Sequence, residues 1–347
     1  MTNSESTVSA APQLTEAPPT AAAAVARTLP RLSRILLFVS KYGTLFALAG
    51  LLVGFSVASP GVFPTVSNFV NIINQVSLTA IISCGLTIAM IAGEFDLSVG
   101  YHASFAGVFV TGLISKEHLS LTQAILVTLA VGAAIGLVNG FLITKARINA
   151  IIATLGVGTL LVGFSYGYSQ GVPFSTGLPN SFLNLGAGKL WHIPHNIIAM
   201  VIVGAILWLF VNKTDIGHST QAVGDNAEAA RLSGIRTDRV KTIAFVICGL
   251  AAALTGILLA SLVGSGTIGS GDSYLLSAFA GVYLGSATMH DGEFHIIGTI
   301  VGVLIIGVGF NGLSIFGLST FYQYLFNGGV LIAAVGLSTV ARRYATR

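Results

Sequence analysis

Charge is what this sequence lacks most. Only 8% of its 347 residues are Asp, Glu, Lys or Arg, where a soluble globular domain carries about a quarter. That shortage excludes an ordinary water-exposed surface around most of the chain. Cysteine is nearly absent too: Cys84 and Cys248 are the only two, and both fall inside apolar stretches. A disulfide framework is therefore excluded, and each is expected to act as a small buried hydrophobe. No Gly-x-x-x-x-Gly-Lys-Ser/Thr phosphate loop occurs, so the chain is not expected to hydrolyse ATP. The serines have no His and Asp partners at a recognisable spacing, and the histidines are scattered over loops, so an intramembrane hydrolase is unsupported. The chain reads as a non-enzyme. Its net charge of +4 carries no message about nucleic acid, because membrane proteins use basic residues to orient themselves.

What the chain has instead is apolar residues, 54% of the total, gathered in long blocks rather than at amphipathic spacing. This is the pattern of an all-α polytopic membrane protein. About ten stretches have the roughly twenty-residue length that a hydrocarbon core demands. They run over 35–58, 71–92, 97–115, 121–144, 149–170, 196–212, 242–264, 273–290, 293–315 and 319–340. With that count every Lys and Arg except Lys116 and Lys189 falls on one side. The positive-inside rule then makes both termini and the 213–241 loop cytoplasmic. Residues 1–30, rich in Ala, Pro, Ser and Thr, read as a disordered cytoplasmic tail rather than a secretory signal, and 31–347 as the membrane domain. The outward loop 171–195 carries Trp191 and three prolines. It suits the water–lipid interface, with room for a short amphipathic helix. Gly132, Gly136 and Gly140 recur every four residues, as do Gly281 and Gly285. Such spacing lets helices approach closely, and packing within one subunit is preferred to a dimer seam.

Polar residues that interrupt the apolar blocks are candidates for function. In Gly93-Glu94-Phe95-Asp96-Leu97-Ser98-Val99-Gly100 two carboxylates break a long apolar run. Each would cost about 2.5–3.5 kcal/mol at the bilayer centre, which excludes a lipid-facing helix here. Either a tight cytoplasmic turn or a buried broken helix satisfies them, and we prefer turn and cap, with Asp96 capping the next span, to a proton relay. His290-Asp291-Gly292-Glu293-Phe294-His295 holds four potential ligands, but no cysteine joins them and a polar turn is the default reading, so no metal is assigned. Gly-Glu-Phe occurs at both Gly93 and Gly292, a short hint of a pseudo-repeat. Within the spans lie uncharged amides and phenols, among them Asn74, Gln75, Asn139, Tyr166, Asn311, Gln323 and Asn327. Taken one at a time, hydrogen bonding from helix to helix is the simpler role. Taken together, they suit a path for a neutral polyhydroxylated solute.

The one polar island between spans is Ala222–Ile235. It reads as a single short helix of about two turns, with Asp225 or Asn226 as N-cap, Glu228 near the positive end, Arg231 in the last turn and Gly234 closing it in a left-handed cap. A helix that short is marginal in water. A partner must hold it.

Asp96-Leu97-Ser98-Val99-Gly100, together with Gly224, Asn226, Ala229, Ala230, Arg231, Ser233, Gly234 and Ile235, resembles the two signatures of the permease subunits of ribose-type sugar ABC importers. These belong with the branched-chain amino-acid permeases, and order and spacing agree over roughly residues 40–340. Where many members have two small residues and an Ile before the Asp, this chain has Glu94-Phe95. It also departs from the usual Gly-Thr-Ser-type turn at Gly285–Gly292. The resemblance implies an ABC importer permease fold in a bacterial inner membrane. Implied partners are cytoplasmic ATP-binding cassette subunits that carry ATP and Mg, a periplasmic substrate-binding protein, and a second, identical or different, permease. It also implies that the loop helix docks on the ATPase. Gly224, Asn226, Glu228, Ala230, Arg231, Leu232 and Gly234 are then coupling residues, and Glu94, Asp96, Ser98 and Gly100 the family turn. The rival reading is a secondary transporter that needs no ATPase and couples ions through Glu94 and Asp96.

Overall fold

The computed structural model describes residues 31–287 and 292–345, with side chains over 43–287 and 292–336. The tail 1–30 and the His290-Asp291 half of the histidine-rich cluster lie outside the described residues. The chain divides into two units, Met1–Val39 and Ser40–Arg347. Of the first only helical backbone from Arg31 is described, and the packing below belongs to the second.

Helices follow one another as α1 (Arg31–Ala58), α2 (Val66–Ile91), α3 (Val99–Ser115), α4 (Leu121–Thr144) and α5 (Ala150–Ser169). A short α6 (Asn180–Ala187) and a small hairpin, β1 (Lys189–Leu190) with β2 (Ile193–Pro194), come next. Then come α7 (His195–Lys213), α8 (Asp215–Asp225), α9 (Ala227–Leu232), α10 (Thr237–Val263), α11 (Ser273–Ser286), α12 (Ile296–Ile315) and α13 (Thr320–Ala345). A helix occupies each stretch read as a span. Among the described residues α2, α4, α5, α7, α10 and α12 are long and apolar enough to cross a membrane by length and composition. The protein is a polytopic, mostly helical membrane protein.

Helix α10 is the hub, packed against α2, α3, α4 and α6. Small residues make this possible. Gly132, Gly136 and Gly140 of α4 lie directly on the α10 backbone: a Cβ at Gly140 would come within 2.9 Å of the Thr242 Cα, and one at Gly136 would collide with the Phe245 carbonyl. Gly281 and Gly285 of α11 meet Val303 and Gly298 of α12 in the same way. The glycine repeats thus pack helices within one chain. Without water, hydroxyls in these helices turn back on their own backbone, as Thr87 does to the Ser83 carbonyl at 2.7 Å and Thr255 to that of Ala251 at 2.9 Å.

The outward loop contains the expected short helix, but α6 is folded onto α10. Phe182 is fully buried, and the Ser261 hydroxyl accepts from Gly186 N–H at 2.6 Å while donating to the Phe182 carbonyl at 2.6 Å. Trp191, at the hairpin tip, is 88% exposed. The two glycines of the repeated Gly-Glu-Phe take positive φ, 79° at Gly93 and 95° at Gly292, where turns lead into α3 and α12.

Glycine-to-alanine substitutions separate contact from helix propensity. Gly136→Ala should cost about 1–3 kcal/mol through overpacking and lower the thermal midpoint of the detergent-solubilised protein. Gly156→Ala, where a Cβ meets nothing within 4 Å, should leave it unchanged or raise it. Equal shifts would contradict the packing described.

Candidate functional site

The polar island is two helices rather than one. Asn226, at φ −157° and ψ 97°, breaks the chain between α8 and α9. Ala222–Asp225 therefore end α8 instead of opening the loop helix. Low helix propensity in 215–225 hides α8 from sequence reasoning, and packing supplies it: Gly217 lies against the backbone of Phe210 and Val211. Asn226, not Asp225, is the N-cap of α9, its Oδ1 accepting from Glu228 N–H at 3.1 Å and Ala229 N–H at 3.0 Å. The far end closes as expected, with Gly234 at φ +87° and Ile235 N–H donating to the Ala230 carbonyl at 3.0 Å.

This six-residue helix has two distinct faces. Ala230 is buried in a small apolar cluster with Val223 and Val240. Glu228 and Arg231 face water and bond to each other at 2.6 Å. That carboxylate raises the Arg231 pKa above its ordinary value. Leu232 is 80% exposed, unusual for a leucine on so polar a segment.

The fold brings the two sequence motifs together. Gly224 sits on the end of α2, where any side chain would strike the Ile91 carbonyl, and Gly93 lies against it from the other side. Next to Gly93, the Glu94 carboxylate meets Lys241 Nζ at 2.6 Å, with only 15% and 23% of the two side chains exposed. The helices on either side of the loop helix are therefore joined to the α2–α3 turn, α8 by the backbone contact at Gly224 and α10 by the ion pair of Lys241.

Asp96 corrects one expectation. It is buried, but it does not cap the first turn of α3. Its Oδ1 accepts from Ser98 N–H at 2.9 Å and Ser98 Oγ–H at 2.5 Å. The Ser98 hydroxyl in turn accepts from Asn139 Nδ2 at 3.0 Å. Leu97 N–H donates to Thr154 Oγ1 at 3.0 Å, and a Cβ at Gly100 would come within 3.1 Å of the Gly271 and Asp272 carbonyls. This turn thus ties α3 to α4, α5 and the start of α11.

The candidate path residues are divided among separate contacts. Asn139 belongs to the Asp96 knot. Asn311 forms a reciprocal amide pair with Asn68, 3.0 Å each way. Asn327 donates to Ser277 Oγ at 3.1 Å, while its own Oδ1 has no partner among the described residues. Gln323 donates to Ser314 Oγ at 2.9 Å, and Asn74 Oδ1 accepts from Asn196 at 3.5 Å. Gln75 and Tyr166 are exposed. In the histidine-rich cluster, His295 caps α12, its Nδ1 accepting from Gly298 N–H at 3.0 Å.

Sequence reasoning missed Lys241 and Asp272. Asp272 Oδ1 accepts from Ser104 Oγ at 2.7 Å, and that hydroxyl accepts from Gly271 N–H at 2.8 Å. An Asp following Gly-Ser-Gly between two apolar runs was the available signal. Lys241 carried none, since its partner lies 147 positions away.

Residues 68–335 match the family described as the branched-chain amino acid transport system permease component. The chain belongs to this family. The match takes in both motifs. The ribose import permease protein RbsC of Escherichia coli K12 is 36% identical over 295 residues, 84% of this chain and 91% of that protein. RbsC of Bacillus subtilis 168 is 37% identical over 299 residues, covering 86% and 92%. The L-arabinose transport system permease protein AraH of E. coli K12 is 35% identical over 305 residues, covering 85% and 91%. No solved structure matches the chain. As a family member this is a multi-pass membrane permease component, not a catalytic subunit.

The Glu94–Lys241 pair can be tested by exchange. Glu94→Gln and Lys241→Met should each destabilise the permease by about 1–3 kcal/mol, because each leaves a largely buried charge unpaired. The E94K/K241E swap should recover part of that loss in a double-mutant cycle on thermal stability. Simple additivity would show that the two side chains do not interact.

Proposed function

We propose that this chain is the membrane-spanning permease subunit of an ATP-driven importer that moves a monosaccharide or related polyol into a bacterial cytoplasm. The observation that carries the reading is likeness along nearly the whole chain to permeases named for ribose and L-arabinose, with both motifs in place. In this reading ten helices span the inner membrane, and both termini lie in the cytoplasm with the 213–241 loop, where the basic residues are concentrated. ATP and Mg bind to separate cassette subunits. A periplasmic binding protein delivers the solute, and a second permease completes the pore. Asn74, Gln75, Asn139, Tyr166, Asn311, Gln323 and Asn327 remain the proposed path. Pairing of Asn139 and Asn311 within the chain supports a role for those two in shaping its walls.

The geometry gives this proposal a mechanism. The outward face of α9, with Glu228, Arg231 and Leu232, docks on the cassette subunit. Asn226 and Gly234 hold the helix rigid at its two ends. When ATP draws the cassette subunits together, α9 moves, and Gly224 passes the displacement to the end of α2 while Lys241 draws on Glu94. Alternating access follows if the two conformations differ in affinity for the closed cassette pair. The occupied state of Glu94 supports this reading over ion coupling, because a coupling carboxylate must be free to exchange its ion.

Uptake of labelled ribose or arabinose into proteoliposomes should require the cassette subunit and ATP. Transport that persists without them and collapses with the proton gradient would sink the importer reading. Reversing α9's polarity (E228R/R231E) should reduce co-purification of the cassette subunit without altering membrane insertion, and unchanged co-purification would remove α9 as the docking site.

A further inference from the structure

A groove of about 700 Å³ opens between α9, the foot of α10 and the turn joining α4 to α5. Its charges do not balance. Lys241 is taken by Glu94 and Arg231 by Glu228. Asp238 is shared, by Lys145 at 3.0 Å and Arg147 at 3.9 Å. Arg236 and Arg239 line the same groove, are exposed, and have no side-chain hydrogen bond or ion pair among the described residues. Once the pairs are set aside, these two guanidinium groups and one cation of the Lys145–Arg147 turn remain uncompensated.

Two further features add to this positive character. Arg236 is the residue before the first turn of α10, a 27-residue helix, so the positive end of that helix's dipole lies here. Arg147 is held in the left-handed region at φ 58°, which turns the chain sharply between α4 and α5 and leaves two basic residues beside Asp238.

The chemistry narrows the occupant. Guanidinium forks match carboxylates in paired hydrogen bonds. The same forks also match phosphate, so the choice between a phosphate-bearing ligand and an acidic segment rests on the groove's position beside the face of α9 proposed to dock the partner. Mixed charge with a basic excess is the complement of an acidic protein segment. The groove is also continuous with α9, whose Glu228 and Arg231 line it and whose Leu232 stands exposed beside them.

We propose that this groove receives an acidic segment of the cassette subunit, whose carboxylates pair with Arg236 and Arg239. The inference rests on the importer reading. It adds a second point of engagement: α9 projects into the partner, and the partner projects into the permease beside α9. A contact gripped from both sides can pull as well as push.

The test uses the permease in nanodiscs of phosphatidylcholine, titrated with its cassette subunit at low and high salt. R236E/R239E should weaken association about tenfold or more and flatten its salt dependence. R236K/R239K should keep the salt dependence but lose part of the affinity, since an ammonium cannot make the paired hydrogen bonds, and a synthetic Glu-rich peptide should compete with the wild type but not with R236E/R239E. Equal thermal midpoints will verify that the variants fold. Wild-type affinity and salt dependence in R236E/R239E would overturn the proposal while leaving the importer reading intact. So would association that appears only when phosphatidylglycerol is added, which would make the groove a headgroup site. If the wild type binds no cassette subunit in either disc, the importer reading falls, and this inference with it.

Discussion

The contact between Gly224 and the Ile91 carbonyl permits no side chain, and the rest of the loop is arranged around it. A helix as short as α9 has little stability of its own, so its position is set by what lies on either side. One flank is this backbone contact with the end of α2. The other is the foot of α10, where Lys241 reaches Glu94. Both bear on the same turn. Through Ala230, α9 packs against both neighbours, Val223 at the end of α8 and Val240 at the foot of α10. Close packing makes such junctions stiff.

The same logic explains the Asp96 turn. A buried carboxylate is tolerated only when its hydrogen bonds are made. Here Ser98 supplies two donors and the chain of bonds continues to Asn139 on α4. Each polar atom satisfied in this way fixes another helix. The Asp-Leu-Ser-Val-Gly sequence works as a clamp: Asp and Ser form the knot, and Gly100 allows the backbone around Asp272 to approach.

How much was legible in the sequence varied with the range of the interaction. Apolar blocks are local, so a helix stands at every stretch read as a span. Caps are local as well, and Asn226 and Gly234 occupy the positions their chemistry demands. Glycine spacing gave the packing seam of α4 because it needs only one helix to be seen. The break between α8 and α9 was hidden, since α8 owes its form to contacts of Gly217 with α7 rather than to its residues' own preferences. Pairs that join distant segments left no trace: Glu94 with Lys241, Asp272 with Ser104, Asn311 with Asn68. A polar residue in an apolar span announces that it needs a partner without saying which one.

The break at Asn226 has a practical consequence for anyone trying to block this surface. A peptide copied from Ala222–Ile235 would carry every side chain of α9, yet in water it would be mostly uncoiled, since isolated helices need roughly 12–15 residues to persist. Ala230 would lose Val240, one wall of its apolar pocket. The shape that matters is conferred by the body of the permease, so a useful mimic would have to be stapled or grafted onto a scaffold that reproduces the end of α2.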